Sequence, residues 1–185
     1  MHHYVAFLRG INLGNRRIKM EQLRALFEAL KFQEVSTFIA SGNVLFASKM
    51  ADARDVENSI QRHLEKSLGY AVDTFVRTRA ELAAVAAFQP FSKVDLEDSA
   101  NTVHVGFLKE PLGSAAQRGL LACGTEVDEF SVEGREYYWL CRIKTNESKV
   151  WTSPSMKAVK LPSATMRNLT MIRKMAALFP AAKTS

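Results

Sequence analysis

Long apolar runs are the first thing this chain lacks. No stretch approaches the roughly 20 residues that a membrane-spanning helix needs. The N-terminus shows no basic region, apolar core and cleavage site of the secretory kind. A cytoplasmic protein with no membrane partner is therefore expected. Cysteine is scarce as well. Cys123 and Cys141 are the only two, they form no Cys-x-x-Cys pair, and both sit among apolar neighbours. Each reads as a buried thiol rather than a metal ligand or half of a disulfide. Missing too are Gly-x-x-x-x-Gly-Lys-Ser/Thr, Gly-x-Gly-x-x-Gly, His-Glu-x-x-His and Gly-x-Ser-x-Gly, which excludes the commonest signatures of phosphate, dinucleotide, zinc-protease and hydrolase chemistry. His2 and His3 are adjacent near the terminus, and His63 and His104 stand alone. Neither a metal nor a cofactor is expected from such spacing.

What is present is the material of a folded protein. The 185 residues are 47% hydrophobic and 24% charged, enough for one core or two small ones. Twenty-five Lys plus Arg stand against 19 Asp plus Glu, a net charge of +6. That balance permits a phosphorylated small molecule or a nucleic acid as partner without demanding either.

Periodicity divides the chain into alternating strands and helices. Tyr4 to Arg9 reads as a strand, and Met20, Leu23, Leu26, Phe27 and Leu30 recur on one helical face. "VSTFIA" and "NVLFAS" are strands joined by Ser41-Gly42-Asn43, a hairpin turn. Val56, Ile60, Leu64 and Leu68 mark a second helix that stops at Gly69, and "YAVDTFVR" follows as a strand. The order βαββαβ over residues 1–77 is that of a ferredoxin-like plait. Thr78 and Glu81 form a capping box for a short helix ending before Pro90, and residues 78–100 connect two halves. In 101–185, "TVHVGFL" is a strand, Ser114 caps a helix closing at Gly124, and a hairpin turns at Glu133-Gly134. Ser153 with Pro154 opens another helix, and the last helix runs from Asn168 to Phe179. The expected fold is α+β: two ferredoxin-like (αβ-plait) subdomains in tandem, with mostly antiparallel sheets. The acidic residues Glu126, Asp128, Glu129, Glu133 and Glu136 are expected on a solvated strand face.

The stretch "RGINLGNRRIKM" concentrates four cations, Arg9, Arg16, Arg17 and Lys19, at the entrance to the first helix. A helix N-terminus carries partial positive charge, so cations there are unfavourable unless an anion joins them. No side-chain oxygen stands immediately before Met20 to cap the helix. In a plait the first two strands run the same way, so the loop after the first strand and the Ser41-Gly42-Asn43 turn should meet at one edge of the sheet. Two readings stand: an anion site at that edge, or an ordinary loop in which Asn15 caps an earlier start and the cations face solvent.

"YVAFLRGINLGN", "KMEQLRALFEAL", "VSTFIASGNVLF" and "ATMRNLTMIRKMAAL" together strongly resemble the bacterial family called domain of unknown function 1697. The resemblance implies two successive plait-like domains and no assigned activity. Its motif residues are Arg9, Gly10, Ile11, Asn12 and Gly14 in the first loop, Ser41, Gly42 and Asn43 in the hairpin, and Thr165, Arg167, Asn168 and Thr170 near the end. Where members often carry two glycines after Ile-Asn-Val, Asn15 follows Gly14 here. Where many read Thr-Thr-Arg-Asn-Trp, Met166 and Leu169 stand instead.

The candidate ligand-binding residues are thus Arg9, Gly10, Asn12, Gly14, Lys19, Ser41, Gly42, Asn43, Thr165, Arg167 and Asn168. The expected role is a binding module for a phosphate-containing ligand or nucleic acid. An enzyme on an anionic substrate, with Arg9, Lys19 and Arg167 stabilising developing charge, is the alternative, and it lacks a visible base or nucleophile. The motifs could also be domain-docking elements, with Arg167 clamped to a carboxylate or carbonyl of the other subdomain.

Overall fold

The computed structural model describes residues 1–12, 14, 16–39 and 42–179. The chain divides into two units, Met1–Ala84 with Met175–Ser185, and Val85–Lys174.

The first unit holds β1 (His2–Arg9), α1 (Met20–Ala29), β2 (Gln33–Thr37), β3 (Asn43–Ser48), α2 (Ala53–Leu68) and β4 (Asp73–Thr78). Its sheet order is β2-β3-β1-β4, and β1 with β3, β1 with β4 and β2 with β3 all pair antiparallel. Strict alternation along a strand sends every second residue to one face. Tyr4, Ala6, Leu8, Val44, Phe46 and Val76 therefore pack against Leu23 and Phe27 of α1 and Val56, Ile60 and Leu64 of α2. Val5, Phe7, Phe75 and Arg77, which alternate with them, are fully buried too. The amphipathic helices owe their ends to specific residues. Asp52 caps α2 by accepting from the amides of Arg54 and Asp55, and Gly69 closes it at φ +77° with its own amide bonded to the Glu65 carbonyl.

The edge strands are handled in different ways. β2 carries a register shift between Gln33 and Ser36, and such bulges discourage further pairing. On β4 the Val76 amide donates to the buried Glu57 carboxylate of α2 at 2.8 Å.

α3 (Arg79–Ala87) follows β4 directly, and the capping box is formed. The Glu81 amide donates to Thr78 Oγ1 at 3.2 Å, and the Thr78 amide to Glu81 Oε2 at 2.7 Å. A short α4 (Lys93–Glu97) interrupts the segment expected to be connection only.

The second unit repeats the order with β5 (Thr102–Leu108), α5 (Ser114–Leu121), β6 (Asp128–Glu133), β7 (Glu136–Cys141), α6 (Pro154–Val159) and β8 (Ala164–Asn168), and α7 (Leu169–Leu178) begins there. Its sheet order, β6-β7-β5-β8, matches that of the first. These are two tandem ferredoxin-like subdomains. The core of the second is aromatic: Trp139 meets Trp151 edge-on with centroids 5.4 Å apart, and His104 stacks on Trp139 at 5.1 Å.

Three expectations need correcting. Ser114 is the first residue of α5 rather than its cap. Gly113 holds the cap position, and no side-chain bond is made there. The segment "ATMRN", to which periodicity assigns no element of its own ahead of the last helix, is a strand, β8, because its alternation completes the sheet against β5. The acidic hairpin is not one solvated face. Asp128 and Glu136 are buried, Asp128 sharing its strand face with Phe130.

Candidate functional site

The loop after β1 is built from the inside outward. Ile11 and Ile18 are buried and anchor it, while Asn12 stitches it shut. Asn12 Oδ1 accepts from the Ile18 amide at 2.9 Å, and the Asn12 carbonyl accepts from Arg17 Nη1 at 3.3 Å. The Tyr70 hydroxyl donates to the Ile11 carbonyl, and the Arg16 guanidinium lies 4.2 Å above the Tyr70 ring. Lys19 then occupies the cap position of α1 in extended conformation, with no side-chain cap bond. Asn15, the other cap candidate, lies outside the described residues.

The hairpin turn reaches the same place. The Leu8 amide donates to the Gly42 carbonyl at 2.8 Å. Gly42 has φ +73°, and a Cβ there would stand 2.9 Å from Ile11 Cγ2 and 3.1 Å from Leu8 Cβ. The turn therefore packs on the loop, where the strand directions put it. Asn43 is fully buried, and its Nδ2 donates to the Phe38 carbonyl at 3.0 Å, closing the hairpin. Arg9 is exposed and faces Asp73 across β1 and β4, with Nη1 3.7 Å from Asp73 Oδ2. Gly10 bends the chain at φ +73°, and Gly14 is exposed. Ser41 is outside the described residues.

A family model described as protein of unknown function (DUF1697) matches residues 1–138. The chain belongs to this family. No curated protein matches it. Among solved structures, the conserved bacterial protein SP0830 from Streptococcus pneumoniae is similar, with TM-score 0.72 and 19% identity over 96% of this chain and 97% of that one. That likeness shows a shared fold.

The DUF1697 match includes the whole loop and hairpin and ends within β7, so Thr165, Arg167 and Asn168 lie beyond it. They sit together on β8 of the second unit. Arg167 is nearly buried, and its Nη1 donates to Thr165 Oγ1 at 2.7 Å and to the Met166 carbonyl at 2.8 Å. Burial pushes its pKa down to about 10. Asn168 Oδ1 accepts from the Thr170 amide, so Asn168 caps α7 while Thr165 serves Arg167 instead. Sequence reading overlooked the counterpart in the first unit. Arg77 faces Val5 as Arg167 faces Val105, and Arg77 Nη1 likewise donates to the carbonyl before it, that of Val76. The echo between "VRT" and "MRN", an arginine followed by a helix cap, is the signal that could have shown it.

Among the described residues, the loop edge of the DUF1697 chain offers exposed cations and a helix start whose cap residue makes no side-chain bond, and no nucleophile is held by a base. Among the described residues no group of three or more His, Cys, Asp or Glu could hold a metal, and no helix is long and apolar enough to cross a membrane.

Proposed function

We propose that the edge of the first unit, where the loop after β1 meets the β2–β3 turn, binds a phosphate-bearing ligand, either a small molecule or a nucleic acid. The observation that carries this reading is the start of α1. Five of the other helices take a side-chain oxygen as cap, from Asp52, Thr78, Ser92, Ser153 and Asn168, whereas α1 begins at Lys19 with none and, unlike α5, which also lacks a side-chain cap, has cations crowded before it in the chain. Arg16 and Arg17 precede that start in the chain and Arg9 closes β1 at the head of the same loop; all three are exposed, as is Lys19. A cap position without a side-chain acceptor and added cations together favour an anion. Gly10, Asn12, Gly14, Gly42 and Asn43 contribute by shaping the backbone around it. Within the second unit, Thr165, Arg167 and Asn168 are engaged with one another and with the start of α7, which supports a structural part for them.

The test is Lys19→Asp, which supplies a cap and removes a cation at once. A new cap typically stabilises by about 1 kcal/mol. The variant should therefore melt higher than the parent while binding pyrophosphate and a mixed-sequence oligonucleotide more weakly. Arg9→Ala should weaken oligonucleotide binding and flatten its salt dependence, by a slope of about one per lost phosphate contact. If titration calorimetry shows no heat with pyrophosphate, nucleotides or the oligonucleotide, the reading is wrong.

A further inference from the structure

We infer that the second unit holds a separate site for a primary alkylammonium group, centred on Asp128. A cavity of about 320 Å³ opens beside β6 and is lined in part by Asp128, Thr125, Ser148, Glu147 and Lys149. Asp128 is 2% exposed. Its Oδ1 accepts from Trp139 Nε1 and Ser148 Oγ, both at 2.8 Å, and its Oδ2 from Thr125 Oγ1 at 3.0 Å. Every one of these donors is neutral. Among the described residues Asp128 makes no ion pair, although buried carboxylates are ordinarily paired with a cation or a metal.

A carboxylate accepts about four hydrogen bonds. Three come from these donors, and the only other neighbour at hydrogen-bonding distance among the described residues is the neutral Cys141 thiol, a weak donor that also reaches the Ile143 carbonyl and that an ammonium entering from the cavity would outcompete. The lining is electronegative in a basic protein: Asp128 and Glu147 against Lys149 leave −1, within a chain of +6. A metal ion is a poor match, since no three ligating side chains converge anywhere among the described residues. An ammonium carries both the charge and the donors the carboxylate lacks. The organic remainder of the ligand has somewhere to go. A second cavity, of about 440 Å³, shares Cys123 and Ser155 with the first and is otherwise lined by Ala115, Ala116, Gly119, Ala122, Ala158 and Val159, between α5 and α6. A polar head over Asp128 and an alkyl chain along this groove describe one amphiphilic molecule. The same group is carried by free alkylamines and by lysine side chains.

The chain has two tryptophans, so its indole N–H signals are few, and the Trp139 signal reports directly on Asp128. Methylamine, n-butylamine, n-hexylamine, n-hexanol and Nα-acetyl-lysine methylamide are titrated into the full chain while that signal is followed by NMR, with Trp151→Phe fixing its assignment. Affinity is expected to rise about fourfold per methylene along the amine series, and n-hexanol is expected to bind at least about tenfold more weakly than n-hexylamine. Binding of the lysine derivative as tightly as n-butylamine names protein lysines as the source, and weaker binding names free amines.

Asp128→Asn keeps an acceptor for Trp139 but loses the charge, and it should lose amine affinity by about tenfold or more. Should that variant fail to fold, Ala158→Leu fills the groove at an exposed position and should abolish the chain-length dependence while methylamine binds as before. The inference is overturned if no amine moves the Trp139 signal, if n-hexanol matches n-hexylamine, or if either folded variant behaves as the parent does. It stands or falls apart from the anion site, whose probes carry no ammonium.

Discussion

At Gly42, a missing Cβ is what lets the hairpin rest on the loop. Its φ of +73° disfavours any side chain, and the space a methyl would need is taken by Ile11, Leu8 and the Leu8 carbonyl. Gly14, at φ +58°, has nothing within 4 Å of its would-be Cβ. Gly42→Ala is therefore expected to cost about 2–3 kcal/mol in urea unfolding, the left-handed strain plus the clash, and Gly14→Ala about 1 kcal/mol. His104 gives a second residue-level expectation. Its Nδ1 is buried without a hydrogen-bond partner among the described residues, and burial holds its pKa below the ordinary 6.5. A lowered folded pKa means that the unfolded chain takes up the proton first. Stability from this residue is complete above pH 6.5 and falls as the pH drops from there through the folded pKa. His104→Phe, which keeps a ring against Trp139, should flatten that acid-side slope when urea midpoints are compared from about pH 8 to pH 5. Cys141 moves the other way. Burial above all, with the Asp128 carboxylate beside it, raises its thiol pKa against a lowering backbone hydrogen bond at Ile143. It stays a thiol, as its apolar sequence neighbours suggested.

Elements with strong local signals could be read directly from the chain. The Thr78–Glu81 box, the Gly69 stop and the Ser153-Pro154 start each encode a backbone event within four residues, and the structure has all three. The loop and turn meet as strand direction required. What escaped was set by partners distant in sequence. β8 is five residues long and becomes a strand only by pairing with β5, and Asp128 turns inward because Trp139 and Ser148 offer it hydrogens. The edge of β4 belongs to the same class. Glu57 reads as a polar residue on an amphipathic helix, yet its carboxylate accepts the Val76 amide that the sheet leaves unpaired. Glu57→Leu should cost about 1–3 kcal/mol by orphaning that amide, and Glu57→Gln, which keeps an oxygen in place, should cost less. Amide exchange at Val76 distinguishes the two, being faster in the leucine variant.

Across the whole molecule one strand order is used twice, and the register is used twice with it. Val5 faces Arg77 in the first sheet as Val105 faces Arg167 in the second, and each arginine is followed by the residue that caps the next helix. The repeat is nearly silent in the sequence because each core was filled separately. Tyr4 and Phe46 stack in one, whereas Trp139 and Trp151 meet edge-on in the other. During refolding, each half-formed sheet thus meets two closing strands of the same polarity and matching pitch, only one of which is its own. Chains with internal repeats characteristically misassemble by such exchanges. The divergence of the two cores guards against this error: "DTFVRT" brings Phe75 and Val76 where "ATMRN" brings Thr165 and Met166, so a traded strand would present the wrong volumes to its host. The differences that hide the duplication from the eye are what let each half know its own last strand.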